Sequence, residues 1–356
     1  MSEVLEERAE SIRMIRDSAG AVAPRGGDSK RVRGLRFVAP GFDKRVFAQM
    51  GEFGWIGLAV AEAAGGAGLG MSEAIALTEE LAGGLAPEPL VPAMLSARLL
   101  AGADDQALLG PLLAGQQVVL TAWQERADTL AAPGNADAPR VFIPQAGGAD
   151  MFLVPVREGA GLALYAVPAI GADVVLEKTM DGGYFGTLRA NPAKGQRIAA
   201  DIGAVLDAAL DEAALMTAGA MVGLMERAFD MTLAYLKTRQ QFGRIIGTFQ
   251  SLQHRAAEMM VSLEEARSMA MLAAMMAQEP DALERRRQMS AVKVQIGRSG
   301  KFIGQSAIQL HGGIAMTMEY LGGHYFKRLT TIDTMFGDAD HHLTQLMAMG
   351  GLNQAA

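Results

Sequence analysis

The 356-residue sequence contains no cysteine, which excludes disulfides, thiolate catalysis and thiolate metal sites in this chain. That absence fits a reducing compartment, and the cytoplasm is the expected location. Basic residues number 32 against 39 acidic ones and form no block, so the net charge of −7 points away from nucleic acid as a partner. No uninterrupted apolar run approaches the roughly 18 residues that a membrane span requires. The acidic opening, Met1 to Glu10, lacks the charged-then-apolar order of a signal segment.

What is present is apolar and largely helical in pattern. Hydrophobic residues make up 50% of the chain, enough for a substantial core in one large domain or two to three modest ones. Ser2 to Asp17 is amphipathic, 19–33 reads as polar, basic and loose, Phe42 to Phe53 reads as a helix, and Ser72 caps another through Leu85. Between them lies Ala64-Gly65-Gly66-Ala67-Gly68-Leu69-Gly70. It has neither the preceding strand nor the Gly-x-Gly-x-x-Gly order of a dinucleotide loop.

From Gln116 the period changes. Val118-Val119-Leu120, Val141-Phe142-Ile143, Met151 to Val154 and Leu162 to Tyr165 are short apolar runs punctuated by glycine and proline, as strands are. After Ala199 helical periodicity returns. One helix is predicted over Ala213 to Arg239 and another from Gly247-Thr248 to Ala277. A third runs from a capping box at Asp281 and Glu284 to Leu310, and a last one begins near Ala339, capped by Asp338. The methionines of this part, Met259, Met260, Met271 and Met275 among them, read as irregular core packing. The predicted fold is therefore mainly α with a small central β domain. Residues 1–115 form a helical domain, 116–195 a β domain and 196–356 a four-helix bundle.

Two clusters carry chemistry. Thr238-Arg239-Gln240-Gln241-Phe242-Gly243 closes the first long helix, with Gly243 suited to a left-handed C-cap. An arginine fork beside glutamine amides suits a pyrophosphate and a polar ring edge. Thr248-Phe249-Gln250 and Gln253-His254 follow. About seventy residues on, Ser306-Ala307-Ile308-Gln309-Leu310-His311-Gly312-Gly313 places Gln309 in a last helical turn before two glycines that permit close backbone approach. The other histidines offer less. His341-His342 point to different helix faces and make a poor metal pair, and His311 packs or bonds locally. His324 to Arg328 reads as an interface or a buried polar segment.

These stretches resemble the signature motifs of the acyl-CoA dehydrogenase flavoprotein family, Arg-x-x-Phe-Gly followed by a Gln, and Gln-x-x-Gly-Gly. The glycine-rich turn with Glu79-Glu80-Leu81 carries the resemblance over nearly the whole chain. The resemblance implies an acyl-CoA thioester as substrate, α,β-dehydrogenation as reaction, FAD shared across a subunit interface, and an electron-transfer flavoprotein as acceptor. It makes Arg239, Gln241, Phe242, Gln250, Gln309, Gly312 and Gly313 the cofactor-binding residues, with no metal.

The chain departs from the family in its other half. The first β motif of the family stands here as Thr121-Ala122-Trp123-Gln124-Glu125-Arg126, and the second as Phe142-Ile143-Pro144-Gln145. Pro144 removes a hydroxyl and a backbone N–H where the family bonds the reactive edge of the flavin. An ungapped count of twenty-three residues from Gly313 puts Phe336 at the usual position of the catalytic glutamate. The alternative position, twenty-six residues before Arg239, is Ala213, beside Ala214. Asp211, Glu212 and Asp338 are the nearby carboxylates, each with an ordinary helix-terminus role as its competing reading.

A chain with intact C-terminal motifs, a degenerate cradle and no base resembles the small subunit of two-chain acyl-CoA dehydrogenases, such as those acting on pimeloyl-CoA or steroid side-chain thioesters. It would complete the FAD site of a catalytic partner in a heterotetramer. Two other readings stand beside it. One is a self-sufficient homo-oligomer with Asp338 as a relocated base, and the other is a scaffold that binds no flavin.

Overall fold

The computed structural model describes residues 2–352 apart from Gly27, Asp128 and Ala190. Six helices come first: α1 (Ser2–Val22), α2 (Ser29–Leu35), α3 (Lys44–Glu52), α4 (Met71–Gly83), α5 (Leu90–Gly102) and α6 (Gln106–Leu113). Seven strands follow: β1 (Val119–Thr121), β2 (Arg140–Pro144), β3 (Met151–Glu158), β4 (Gly161–Pro168), β5 (Asp173–Lys178), β6 (Tyr184–Arg189) and β7 (Gln196–Ala199). The chain then forms α7 (Gly203–Thr238), the short strands β8 (Gln240–Gln241) and β9 (Arg244–Ile245), and α8 (Gln250–Met276), α9 (Ala282–His311), α10 (Leu321–Asp333) and α11 (Ala339–Ala348). The expected succession of helical, β and bundle segments is present.

By its internal contacts the chain divides into two compact units, one of residues 1–32, 75–86 and 214–356, the other of 33–74 and 87–213. The second unit holds two sheets. In one the order is β1-β3-β4-β7, with β1 parallel to β3 and the other pairs antiparallel. In the other the order is β2-β6-β5, all antiparallel. β3 is buried from Phe152 to Val156 because α5 covers β1 and β4 flanks it. The Ser96 and Thr121 hydroxyls meet at 2.9 Å beneath that cover. Arg140 is 0% exposed, and its guanidinium donates to the carbonyls of Asn135, Ala138 and Pro155 and pairs with Glu125 at 3.3 Å. Burial lowers its proton affinity, and those carbonyls with the carboxylate compensate a charge held out of water.

In the first unit α9 packs against α8, α10 and α11. The part of α7 in this unit lies against α4. A Cβ at Gly223 would sit 1.9 Å from the Glu79 carbonyl, so only glycine permits that approach. Thr78 donates to the Met216 carbonyl at 3.0 Å on the same seam. Arg16 reaches Glu79 at 2.8 Å, Arg25 grips Glu80 with two contacts of 2.7 and 2.6 Å, and Glu226 takes Arg25 at 3.2 Å together with Arg267. α7 is long and apolar enough to pass for a membrane span, yet 89% of that window is buried inside the fold.

Several local expectations give way. The loose segment 19–33 contains the end of α1 and the start of α2. Ser72 lies inside α4, whose first turn is held by Glu73 accepting from the Gly70 N–H at 3.2 Å. Asp281 caps α9 as expected, but Glu279 rather than Glu284 takes the Asp281 N–H. α7 begins at Gly203, ten residues before the expected start, because nothing between Gly203 and Ala213 breaks a helix.

Candidate functional site

α7 stops at Thr238, and the first motif folds into a hairpin rather than a C-cap. β8 and β9 pair with Gln240 opposite Ile245 and Gln241 opposite Arg244. Phe242 and Gly243 form the two-residue turn at φ of 55° and 77°, the positive pair that a tight hairpin demands. Phe242 is not a residue that this turn favours, since a bulky left-handed residue costs about 1–2 kcal/mol. The residue is nonetheless 88% exposed, its ring edge-on to Phe249 at 6.1 Å. The Arg244 guanidinium lies over Phe249 at 4.0 Å.

The second motif ends α9. Gly312, at φ 64°, caps the helix by donating to the carbonyls of Gln309 and Ile308. A Cβ at Gly312 or Gly313 would meet nothing within 4 Å. At Gly313 neither backbone angle nor packing among the described residues calls for glycine. The structure brings both motifs to one end of the bundle. Tyr235, four residues before Arg239, packs at a tilt against His311 with ring centroids 4.6 Å apart. Arg255 of α8 reaches the Ser306 hydroxyl at 3.4 Å. Arg239, Gln241, Gln250 and Gln309 are all exposed. Among the described residues no partner engages their side chains, so their donors are available to a ligand.

The glycine-rich turn behaves differently. The N–H groups of Gly65, Gly66, Ala67 and Gly68 donate to the carbonyls of Glu62, Ala61, Gly57 and Val60. A phosphate would find them engaged. The cavity beside this turn, about 430 Å³, has Gln106 as its one polar side chain apart from glycine, alanine and leucine.

In the sheet unit the residues aligned with a flavin cradle are also engaged. Gln124 donates to the Arg126 carbonyl at 2.9 Å, and Glu125 accepts from the Asn135 N–H at 2.8 Å while pairing with Arg140. Gln145 is buried, donating to the Pro87 carbonyl and accepting from the Tyr184 N–H. Phe142 and Pro144 share the outward face of β2-β6-β5 with Phe185, and Phe142 takes a left-handed φ of 56°. That face also carries Glu177, Thr187 and the Asp173–Arg189 pair, but Phe142 and Pro144 offer no side-chain donor and Pro144 no N–H, so these two do not fit the bonding edge of an isoalloxazine ring. The exposed donors of the C-terminal motifs do fit a dinucleotide's phosphates and amide-reading edges.

No carboxylate stands ready as a base at the positions weighed. Phe336 is buried at φ 55°, its ring turned into the fold. Asp338 caps α11, accepting from the His341 N–H at 2.8 Å. Glu212 lies nine residues into α7, where Arg98 grips it at 2.9 and 3.0 Å, and Asp211 is 3% exposed. The Phe336 turn is itself held from inside. Lys293, 0% exposed, donates to the carbonyls of Asp333 and Met335 at 3.3 and 3.1 Å. His342 reaches the Phe336 carbonyl at 2.8 Å and the Ser290 hydroxyl at 3.3 Å. Burial brings Lys293 down to about 8 and His342 to about 3, and it raises Asp333. A Cβ at Gly337 would lie 2.8 Å from both His341 and His342. Sequence reasoning missed Lys293, Tyr235 and Tyr320. A lysine in an apolar helical stripe was the available signal for the first.

Comparison with known proteins bears on these features. The C-terminal domain model of acyl-CoA dehydrogenases matches residues 203–350, and the N-terminal domain model of the same family matches 9–107. The chain belongs to the acyl-CoA dehydrogenase family. Among relatives of this chain, acyl-CoA dehydrogenase IpdE2 of Mycolicibacterium smegmatis is 26% identical over 96% of this chain and 99% of its own length. Acyl-CoA dehydrogenase FadE34 of Mycobacterium tuberculosis is 27% identical over 97% of this chain, but only 48% of its own length is matched. A solved structure of the Tcur3481-Tcur3483 steroid ACAD superposes with a TM-score of 0.85, at 26% identity over 96% of this chain and 98% of that one.

Proposed function

We propose that this chain is a subunit of an FAD-dependent acyl-CoA dehydrogenase and completes the flavin site of a catalytic partner. The observation that carries the proposal is the asymmetry of its donors. Arg239, Gln241, Gln250 and Gln309 are exposed and unengaged beside Phe242, Gly312 and Gly313, whereas the cradle residues Gln124, Glu125 and Gln145 are bonded within their own unit. The C-terminal set would hold the pyrophosphate and adenosine side of FAD, and the partner would supply the ring cradle and the base. When bound, FAD supplies hydride acceptance, which no side chain can. In this reading the segments 1–115, 116–195 and 196–356 serve as packing, degenerate-cradle and flavin-contact domains. Support comes from the two-component steroid dehydrogenase and from FadE34, whose unmatched half leaves room for a second chain-length.

The substrate class is an acyl-CoA thioester, with steroid side-chain or fatty acyl groups as the candidates. The assembly is a cytoplasmic heterotetramer, and an electron-transfer flavoprotein is its acceptor. The homomeric reading with Asp338 as base is disfavoured because that carboxylate caps α11. Co-expression with a neighbouring dehydrogenase chain tests the proposal. The expected result is a yellow complex with one FAD per heterodimer, a colourless lone chain, and turnover only in the complex. One FAD per lone chain with robust dye reduction would overturn it in favour of the homo-oligomer. A complex that never takes flavin would favour the scaffold.

A further inference from the structure

One imidazole joins the two motif stretches. His311 ends α9 and is 4% exposed. Its Nδ1 lies 2.7 Å from the Ala307 carbonyl, which places the ring proton there and leaves Nε2 to accept from the Tyr320 hydroxyl at 2.6 Å. The ring packs at a tilt against Tyr235 of α7, with centroids 4.6 Å apart, and against Tyr320 at 4.8 Å. Tyr320 is the residue from which α10 starts. The end of α7, the end of α9 and the start of α10 therefore converge on His311, and Gly312–Gly313 begin the short 3-10 connection, Gly312–Met316, that this contact closes.

We propose that His311 is a positioning residue that holds the Gly312–Gly313 loop in its flavin-contacting shape beside the Arg239 hairpin, and that protonation of its ring releases both loop and flavin. The proposal rests on the reading that the two motifs contact FAD. The groups facing the ring are the Tyr235 phenol and Met231 carbonyl from α7, the Ala307 carbonyl from α9, and the Tyr320 phenol ahead of α10. None of them is a carboxylate. Burial keeps the ring neutral to lower pH than an ordinary histidine. Protonation turns Nε2 into a donor, forces the Tyr320 hydroxyl to give up its proton-donating role, and leaves a buried cation with no carboxylate beside it, a cost that is relieved by opening the ring to water.

The test compares wild type with His311→Gln, whose amide oxygen can still accept from Tyr320 but does not titrate, and with Tyr320→Phe, which removes the donor. In the lone chain, hydrogen-exchange protection of the 312–317 amides is measured at about pH 7.5 and about pH 5. Wild type should lose protection at least about tenfold on acidification, His311→Gln less than about twofold, and Tyr320→Phe should begin low at both pH values. Equal acid losses in wild type and His311→Gln would overturn the clasp. In the co-purified complex, FAD dissociation should quicken over the same pH window in wild type and stay flat in His311→Gln. Parallel pH profiles there would overturn the link to flavin. A complex that retains no FAD at any pH sinks the functional reading beneath the proposal, and the exchange measurement then still decides the clasp.

Discussion

Phe242 sits where a hairpin turn prefers asparagine, at φ 55° and 88% exposed, so its side chain is kept against both backbone preference and solvation. Phe242→Asn should therefore stabilise the lone chain by a few tenths to about 1 kcal/mol while weakening the complex and its flavin retention. Thermal melts of the lone chain and flavin content of the complex check the two halves. A complex that keeps its full flavin content would show the ring to be dispensable. Arg239→Ala should cost flavin affinity about thirtyfold, as loss of a charge-assisted contact of about 2 kcal/mol would. Filtration of the diluted complex reads that loss, and unchanged flavin content would remove Arg239 from the site. Phe336→Glu does not create a base in the lone chain, because its side chain would enter a buried site. It should lower stability and leave dye reduction at zero.

The turn between α10 and α11 shows how a buried pair can govern an element. Lys293 in the fold holds its proton with a value of about 8 against 10.5 for an ordinary lysine. Between those values the unfolded chain binds the proton that the folded chain has released, so this group makes stability rise with pH from 8 to 10.5. Below pH 8 the whole penalty of burying the ammonium is present. The urea midpoint of wild type should thus gain on that of Lys293→Met across this window, and parallel curves would refute the buried titration. His342, at about 3 against 6.5, acts at the acid end. Stability is lost as pH falls from 6.5 towards 3, because the unfolded chain takes up the proton first. His342→Gln should flatten that acid loss relative to wild type. Lys293 drew no notice in the sequence, and His342 only as half of a poor metal pair. Period and punctuation announced the succession of helices and strands, and the motif resemblance singled out Arg239, Gln309 and the glycines as candidates. The carbonyls that Lys293 captures and the ring that joins α7 to α9 belong to contacts between elements, which periodicity does not encode. The hairpin was hidden for a simpler reason. A glycine at a helix end reads as a cap, and pairing two residues beyond it depends on the positive φ of Phe242.

At the scale of the whole molecule, α8 is a long helix that buries only one of its faces. Met259, Leu263, Ala266, Ala270 and Ala273 face inward. Met260 is 41% exposed, Val261 60%, Met271 71% and Met275 72%. The methionines expected as core packing thus divide, and those facing out form an apolar stripe, broken by Glu264 and Ser268, of the kind that interfaces cover. Met271→Glu combined with Met275→Glu should reduce association in sedimentation velocity without lowering the melting temperature of the lone chain. An undiminished oligomer would place the interface elsewhere. The same stripe has a chemical consequence. Thioethers open to solvent are oxidised readily to sulfoxides, which are polar and enlarge the side chain. Peroxide should therefore mark an orphaned subunit, converting the very residues that a partner would have covered and leaving a chain less able to find one. Mass spectrometry after a brief peroxide pulse would read assembly as the loss of modification at Met271 and Met275, with equal modification in both states placing them outside the contact.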